Sequence, residues 1–218
     1  HTLSLHDALP ICIDLALQRI GSQMNRESDV LFLYMTSHGL ANQFEMENAP
    51  IDLDDVDPKW LRQTLDKSGI RWKVIVISAC YSGSFIPALQ SPDTLIITAA
   101  AADRDSFGCS SESDYTYFGR AFFDQAMREK GSLKAAFDEA SATIATWEHA
   151  QGFKPSEPQW VMGKNMELML PQLEKRLFPQ AGIQNLGQSN SLSSNATVSN
   201  TAGSEHALEN TEIEVSTQ

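Results

Sequence analysis

Apolar runs of strand length alternate along the chain with segments that have helical spacing. Val30–Thr36 and residues 74–79 are continuous apolar runs, and each is typical of a strand buried on both faces of a parallel sheet. Between them, Asp57 and Pro58 form the start signal of a helix that Gly69 ends. The order strand, helix, strand predicts two parallel strands joined by a right-handed crossover.

Further segments complete the predicted core. Apolar residues recur at helical spacing in residues 13–24, 116–130 and 132–147, and Thr94–Thr98 is a third apolar run of strand length. The polar loop that follows this third strand extends through Asp114 and is long enough to have a function of its own. Together these elements predict an α/β fold in which helices cover a mostly parallel sheet.

The two ends of the chain differ from this core. Residues 1–11 read HTLSLHDALPI and contain no signal-peptide pattern, and we interpret them as a non-native leader that resembles translated sequencing-adaptor sequence. Residues 180–218 are rich in Ser, Asn, Thr and Gly and contain no Lys or Arg, which predicts a disordered polar tail. Residues 12–179 are therefore expected to form one folded domain.

Charge and hydropathy exclude several partners. The 218 residues include 16 Lys and Arg against 28 Asp and Glu, a net charge of −12. The sequence has no basic cluster that could follow a phosphate backbone or an anionic membrane surface. No apolar run approaches the roughly 20 residues that cross a bilayer. We therefore expect neither nucleic acid nor a membrane surface as a partner, and no membrane-spanning segment.

Cysteine and acidic residues do not predict a metal site. Cys12, Cys80 and Cys109 are too few for a disulfide framework and lack the paired spacing of a zinc site. The acidic residues from Asp52 to Asp57 lack the glycine and the bidentate glutamate of a calcium loop, and a solvated loop with a helix cap explains them better. We therefore predict no metal and no cofactor, and ask whether one cysteine is a nucleophile.

One histidine and one cysteine are placed for nucleophilic chemistry. His38 and Cys80 each follow a predicted strand, so they lie outside the carboxyl ends of parallel strands, where the sites of open α/β sheets form. A cysteine attacks as a thiolate, and a nearby imidazole can accept its proton and then protonate a leaving amine. The N–H groups of Gly39 and Cys80 are candidate donors to the developing oxyanion. Cys12 and Cys109 have no such histidine partner, and we interpret both as structural.

Two motifs carry these residues. His38 lies in T-S-H-G, and Cys80, 42 residues later, lies in S-A-C-Y-S-G-S. Together they resemble the paired motifs of the legumain-like (C13) family of cysteine peptidases, which is related to caspases and gingipains. The similarity continues in T-A-A from Thr98, in S-F-G-C from Ser106 and in Y-T-Y-F-G from Tyr115, and it is closest to bacterial members.

The resemblance implies a caspase/legumain-like three-layer sandwich with a mostly parallel sheet. It implies an endopeptidase that acts on peptides or proteins without a cofactor, through an acyl-thioester on Cys80 with His38 as acid/base. The fold that it resembles normally begins with strands ahead of the helix at 13–24, so we expect the peptidase domain, residues 12–179, to be truncated at its N-terminus and to lack these first strands.

Two other functions stay open at this point. A transamidase or ligase would use the same thioester with an amine acceptor. A catalytically idle, caspase-like interaction module would keep the fold as a scaffold. The sequence predicts neither the compartment nor the oligomeric state.

The substrate pocket departs from the pattern of family members that cut after Asn. Those members have an acidic residue two positions before the nucleophile, where this chain has Ser78, and another acid where it has Arg120. Ser106 matches the pocket wall, whereas Asp105 occupies a position usually held by Ser. We therefore predict a substrate-binding set of Ser78, Asp105, Ser106 and Arg120 that accepts an acidic or polar side chain rather than Asn strictly. An alternative for Arg120 is a surface ion pair with Asp124.

Overall fold

The computed structural model describes residues 8–48, 51–108 and 115–179. These residues belong to one compact unit, His1–Ile183. In chain order the elements are α1 (Ala8–Gln23), β1 (Val30–Thr36), β2 (Gly39–Leu40), β3 (Gln43–Phe44), β4 (Glu47–Asn48), β5 (Ile51–Asp52), α2 (Pro58–Lys67), β6 (Trp72–Ser78), a 3-10 helix (Ser82–Phe85), α3 (Ile86–Leu89), β7 (Thr94–Thr98), a π-helix (Gly119–Ala126), α4 (Met127–Glu129), α5 (Leu133–Gln151), β8 (Gln159–Met162) and α6 (Met166–Leu177).

The central sheet has four strands in the order β1-β6-β7-β8. The first three strands are parallel, and their register runs from Val30 opposite Trp72 to Thr36 opposite Ser78 between β1 and β6. The fourth strand, β8, pairs with β7 in the antiparallel direction. The predicted parallel crossover is therefore confirmed, and β1 and β6 end together at one edge of the sheet.

Helices cover both faces of the sheet, because successive strand residues point to opposite sides. On one face, Val74 and Val76 pack with residues of the π-helix, α5 and α6. On the other, Ile75 and Ile77 pack with residues of α1, α2 and α3. All four side chains have no exposed surface, and full burial of such a side chain stabilises the fold by about 1.5–3 kcal/mol. The predicted three-layer α/β arrangement is confirmed.

The first strand differs from its prediction. β1 was predicted to be buried on both faces, but Tyr34 is 40% exposed and Thr36 is also exposed. The reason is its position, since within the described residues β1 pairs with β6 alone and forms one edge of the sheet. By contrast, every residue of β6 and β7 is buried. An apolar run of strand length therefore did not distinguish an edge strand from a central one.

Helix α2 begins as predicted. The side chain of Asp57 accepts hydrogen bonds from the N–H groups of Lys59 (2.8 Å) and Trp60 (3.0 Å), and Pro58 occupies the first turn. Just after the helix, Gly69 has a φ of +70°, which glycine adopts at little cost. The acidic run before α2 is thus explained in part by helix capping.

Several element boundaries differ from their predictions. Helix α1 begins at Ala8, so it includes the last four residues of the segment that we interpret as a leader. Residues 1–7 of this segment and the predicted tail at 180–218 lie outside the described residues. The segment between His38 and α2 contains two short two-stranded ladders, β2–β3 and β4–β5, which were not predicted. The strand β8 and the helix α6 were not predicted.

The predicted helix at 116–130 forms, but its central part is wound as a π-helix. The following helix, α5, begins as predicted, because the Ser132 hydroxyl accepts a hydrogen bond from the N–H of Ala135 at 3.1 Å. In the part of the chain that the structure describes, no helix has the length and apolar composition needed to cross a bilayer.

Candidate active site

The ends of β1 and β6 bring the predicted histidine and cysteine segments together. Thr36 and Ser78 are the last pair of the ladder, and His38 and Cys80 each follow two residues later. A Cβ atom at Gly39 would lie 2.7 Å from the carbonyl oxygen of Cys80, so the two segments are in direct contact. This contact also explains why the residue after His38 is a glycine.

The thiol of Cys80 lies against the backbone of Ser106. Its Sγ accepts a hydrogen bond from the Ser106 N–H at 3.2 Å and can donate one to the Ser106 carbonyl at 3.3 Å. The N–H suits a thiolate, which only accepts, and the carbonyl suits a thiol, which can donate. The predicted pocket residue Ser106 therefore meets the predicted nucleophile through its main chain.

The turn that follows Cys80 is fixed from several sides. Tyr81 has a φ of +56°, and its N–H donates to the Arg104 carbonyl at 2.7 Å. The Gly83 N–H donates to the Ala100 carbonyl at 3.0 Å. A Cβ atom at Gly83 would lie 2.6 Å from the backbone nitrogen of Ala102. The left-handed conformation of a tyrosine costs about 1–2 kcal/mol, and these contacts hold it in place.

The histidine segment continues into the small ladder β2–β3. The carbonyl of His38 accepts a hydrogen bond from the Glu45 N–H at 3.1 Å. The N–H and the carbonyl of Phe44 both form hydrogen bonds with Val56, on the side of β3 away from β2. Gly39 and Phe44 are therefore a non-hydrogen-bonded pair of the antiparallel ladder β2–β3. The N–H of Gly39 consequently points away from β3. The side chain of His38 is exposed.

The predicted pocket residue Ser78 is buried behind the site. Its hydroxyl and the Thr116 hydroxyl lie 3.1 Å apart, and Ser78 is only 1% exposed. The Thr116 hydroxyl also accepts a hydrogen bond from the Gly119 N–H at 2.9 Å, at the start of the π-helix. Ser78 thus joins β6 to this helix. Thr116 was predicted as the start of this helix, a position that favours a hydroxyl side chain, but its contact with Ser78 was not predicted.

The predicted pocket residue Arg120 lies against helix α5. Its guanidinium carbon is 5.6 Å from the centroid of the Trp147 ring, a cation–π contact. The carboxylate of Asp124, which we had considered as its ion-pair partner, instead pairs with Arg128 at 3.0 Å. Among the described residues no ion pair joins Arg120 to Asp105, and the sharing of one pocket by these two residues stays a prediction.

The predicted pocket residue Asp105 lies close to Tyr81, the residue after Cys80. The negative charge of Asp105, and then a hydrogen bond to its carboxylate, raise the pKa of the Tyr81 hydroxyl above its usual value. The Tyr81 hydroxyl therefore stays protonated at neutral pH. Tyr81 was not predicted as a site residue, because neither its backbone conformation nor its proximity to Asp105 is visible in the sequence.

The structure describes one of the other two cysteines. Cys12 is exposed on helix α1. Cys109 lies outside the described residues. Their interpretation as structural residues stays a prediction.

A family of known proteins matches the part of the chain that contains these residues. The model of the Peptidase C13 family matches residues 18–169, a range that includes His38, Cys80 and the four predicted pocket residues. The chain belongs to the Peptidase C13 family. This membership confirms the resemblance inferred from the two motifs and shows that the protein is a cysteine-type peptidase, a hydrolase whose substrates are peptides or proteins.

A solved structure supports the fold of this Peptidase C13 member. Caspase-1 from Spodoptera frugiperda superposes with a TM-score of 0.50 and 16% sequence identity, over 70% of this chain and 67% of the caspase chain. At this identity the similarity shows the fold alone, and it confirms the predicted caspase-like α/β class. Among curated proteins, none matches the chain.

Proposed function

We propose that this Peptidase C13 member is an endopeptidase in which Cys80 is the nucleophile and His38 the acid/base. The observation that carries the proposal is the joint register of β1 and β6, which places both residues two positions beyond the last strand pair. The contact between the position of Gly39 and the Cys80 carbonyl supports it further. The family membership supports the reaction class, and the geometry supports these two residues.

In the acylation half of the reaction, His38 takes the proton of the Cys80 thiol. The resulting thiolate attacks the carbonyl carbon of the scissile peptide bond, and the carbonyl oxygen becomes an oxyanion. The His38 imidazolium then gives its proton to the amide nitrogen as the C–N bond breaks. The amine product leaves, and the acyl group stays on Sγ as a thioester.

In the deacylation half, neutral His38 takes a proton from water while the oxygen of that water attacks the thioester carbonyl. The second tetrahedral intermediate collapses, the C–S bond breaks, and the carboxylic acid product is released. Sγ recovers the proton from the imidazolium, so the site returns to its first state. A primary amine in place of water would give transpeptidation by the same steps.

Two backbone N–H groups are suited to bind the oxyanion. The Gly39 N–H points away from the β2–β3 ladder, as its non-hydrogen-bonded pairing with Phe44 requires. Within the described part of the chain, no backbone carbonyl accepts a hydrogen bond from Cys80 N–H. Such preorganised donors commonly contribute about 2.7–4 kcal/mol each to transition-state stabilisation.

Cleavage of a peptide library by the purified protein tests the proposal. The library varies the residue before the scissile bond, and mass spectrometry identifies the products. We expect internal peptide bonds to be cut by the wild-type protein and left intact by Cys80→Ala. Cys12→Ala is the matched control, because it removes an exposed thiol distant in sequence from both motifs, and it should cut at the wild-type rate.

The other outcomes separate the competing functions. Products joined to an added amine, formed faster than hydrolysis products, would favour a transamidase. A folded wild-type protein that cuts nothing would contradict the endopeptidase and favour a scaffold. Equal cleavage by wild type and Cys80→Ala would exclude Cys80 as the nucleophile.

A further inference from the structure

The segment of residues 104–106 runs directly beside the proposed nucleophile. The Arg104 carbonyl accepts the Tyr81 N–H at 2.7 Å, and the Ser106 N–H donates to the Cys80 Sγ at 3.2 Å. Asp105 lies between these two contacts, and its side chain is exposed. Consecutive Cα atoms are about 3.8 Å apart, so Asp105 is one residue step from a backbone group that touches the sulfur.

A substrate must place its side chain near the same segment. When Sγ attacks the carbonyl carbon, the side chain of the residue before the scissile bond begins two bonds from that carbon. The Sγ atom is in contact with the Ser106 backbone, so this substrate side chain begins next to residues 104–106. If one charged group of residues 104–106 has no ion-pair partner, that group attracts a substrate side chain of opposite charge.

That group is the carboxylate of Asp105. The neighbouring cation, Arg104, already pairs with Asp103 at 3.5 Å and with Glu157 at 3.2 Å. In residues 8–48, 51–108 and 115–179, no Lys or Arg side chain pairs with Asp105, and the rest of the chain contains no Lys or Arg. Arg120, the other charged residue of the predicted pocket, packs on Trp147.

Tyr81 lies close to this carboxylate without neutralising it. The negative charge of Asp105 raises the pKa of the Tyr81 hydroxyl, so that hydroxyl stays neutral. A carboxylate has about four lone-pair sites, so a neutral hydroxyl beside it leaves room for the donors of an ammonium or guanidinium group.

We propose that Asp105 is a specificity-determining residue that selects Lys or Arg immediately before the scissile bond. This inference rests on the proposed peptidase site and names its substrate class. It differs from the sequence-based expectation of an acidic or polar substrate side chain, which placed Asp105 and Arg120 in one pocket, and the experiment below distinguishes the two. The net charge of −12 also favours the approach of cationic peptides.

The test compares kcat/KM for peptides that differ only in the residue before the scissile bond, with Lys, Arg, Asn, Gln and Asp as the five choices. We expect the wild-type protein to prefer Lys and Arg over Gln by about tenfold to a hundredfold. Asp105→Asn should reduce this preference to about twofold while cleavage after Gln continues. Tyr81→Phe should reduce the preference by a smaller factor, mainly through KM.

Asp103→Asn is the matched control, because Asp103 is an acid two residues away whose side chain is 79% exposed and faces Arg104. It should keep the wild-type preference. Cleavage that favours Asn or Asp, or a basic preference that Asp105→Asn leaves unchanged, would overturn this inference and leave the proposed peptidase standing. Failure of the folded wild-type protein to cut all five peptides would overturn the proposed function, and this inference with it.

A binding measurement covers the case in which Asp105→Asn fails to fold. The inactive Cys80→Ala protein should bind the Lys peptide more tightly than the Gln peptide, and the difference should shrink as salt rises from about 0.05 to 0.5 M. Equal binding of the two peptides at low salt would contradict a role for the Asp105 charge.

Discussion

The segment that carries Cys80 and the segment that carries His38 leave the same edge of the sheet, yet the molecule holds them differently. Cys80 follows β6, a central strand in which every residue is buried, and the turn after it bonds to the segments around Ala100 and Arg104. His38 follows β1, an edge strand with exposed residues, and leads into a ladder of two residue pairs.

The two segments suit the different roles proposed for Cys80 and His38. The proposed nucleophile must be held within a fraction of an ångström of its attack geometry, and the buried strand and its bonded turn suit that requirement. The acid/base group must reach the thiol, the leaving nitrogen and then water in successive steps, and an exposed side chain on a short ladder can meet all three. The comparison predicts that substitutions on the two segments have different effects.

The largest effect is expected from His38→Ala. Loss of the acid/base group should lower kcat by about 10²- to 10⁴-fold. The melting temperature should stay within about 1 °C of wild type, since the side chain is exposed and surface substitutions change stability little. Kinetics and thermal unfolding on the same samples would check both statements. Leu40→Ala, at a 52% exposed neighbour, should leave both quantities unchanged.

A loss of stability together with activity in His38→Ala would contradict the comparison, because it would mean that the histidine segment is also part of the core. A loss of activity of the same size in Leu40→Ala would show that the whole ladder, rather than the imidazole, is required.

An intermediate effect is expected from Gly83→Ala. Its new methyl group would meet the backbone nitrogen of Ala102 at 2.6 Å, and both segments are held by hydrogen bonds. Such overpacking should lower the free energy of unfolding by about 1–3 kcal/mol. Urea denaturation monitored by tryptophan fluorescence would measure the change.

Gly39→Ala is the matched variant on the histidine segment. Its methyl group would meet the Cys80 carbonyl oxygen at 2.7 Å, a similar clash, but the short ladder that carries it can shift. We expect Gly39→Ala to lower the free energy of unfolding less than Gly83→Ala does. Relative to that loss, we expect it to lower kcat/KM more. Equal losses of stability in the two glycine variants would refute the difference in rigidity.

The smallest effect is expected from Arg120→Ala. Removing its cation–π contact with Trp147 should lower the free energy of unfolding by about 0.5–1 kcal/mol. The preference among substrates should not change, because the guanidinium packs on α5. Arg128→Ala, which removes the exposed ion pair with Asp124, is the control and should cost about 0.3–0.5 kcal/mol. A changed substrate preference in Arg120→Ala would show instead that Arg120 is part of the substrate pocket.

The sequence allowed the elements near the site to be predicted because their signals are local. Continuous apolar runs identified β1, β6 and β7, and a side-chain cap with a following proline identified the start of α2. The positions of His38 and Cys80 at the ends of β1 and β6 followed from the crossover rule. These inferences needed only the residue types and their order along the chain.

What could not be predicted depends on contacts between distant segments. β8 has four residues, too few for a periodic pattern, and β7 supplies its hydrogen-bond partners. α6 has Met166, Met169, Leu170 and Leu173 at helical spacing, a usable signal, but Pro171 inside it argued against a helix. The Tyr81–Asp105 contact and the cation–π contact of Arg120 join residues more than 20 positions apart.

The π-helix has a consequence for comparing this chain with its relatives. A π-helix bonds residue i to i+5, so each of its turns contains about one residue more than the 3.6 of an α-helix. The rotation per residue is therefore smaller than in an α-helix, and the difference accumulates along Gly119–Ala126. Arg120, the second residue of the π-helix, is hardly shifted, whereas residues after Ala126 point in directions that an α-helical count from Thr116 would assign to a neighbour. Alignments of this family should instead be anchored separately on Thr116, before the π-helix, and on Leu133, after it.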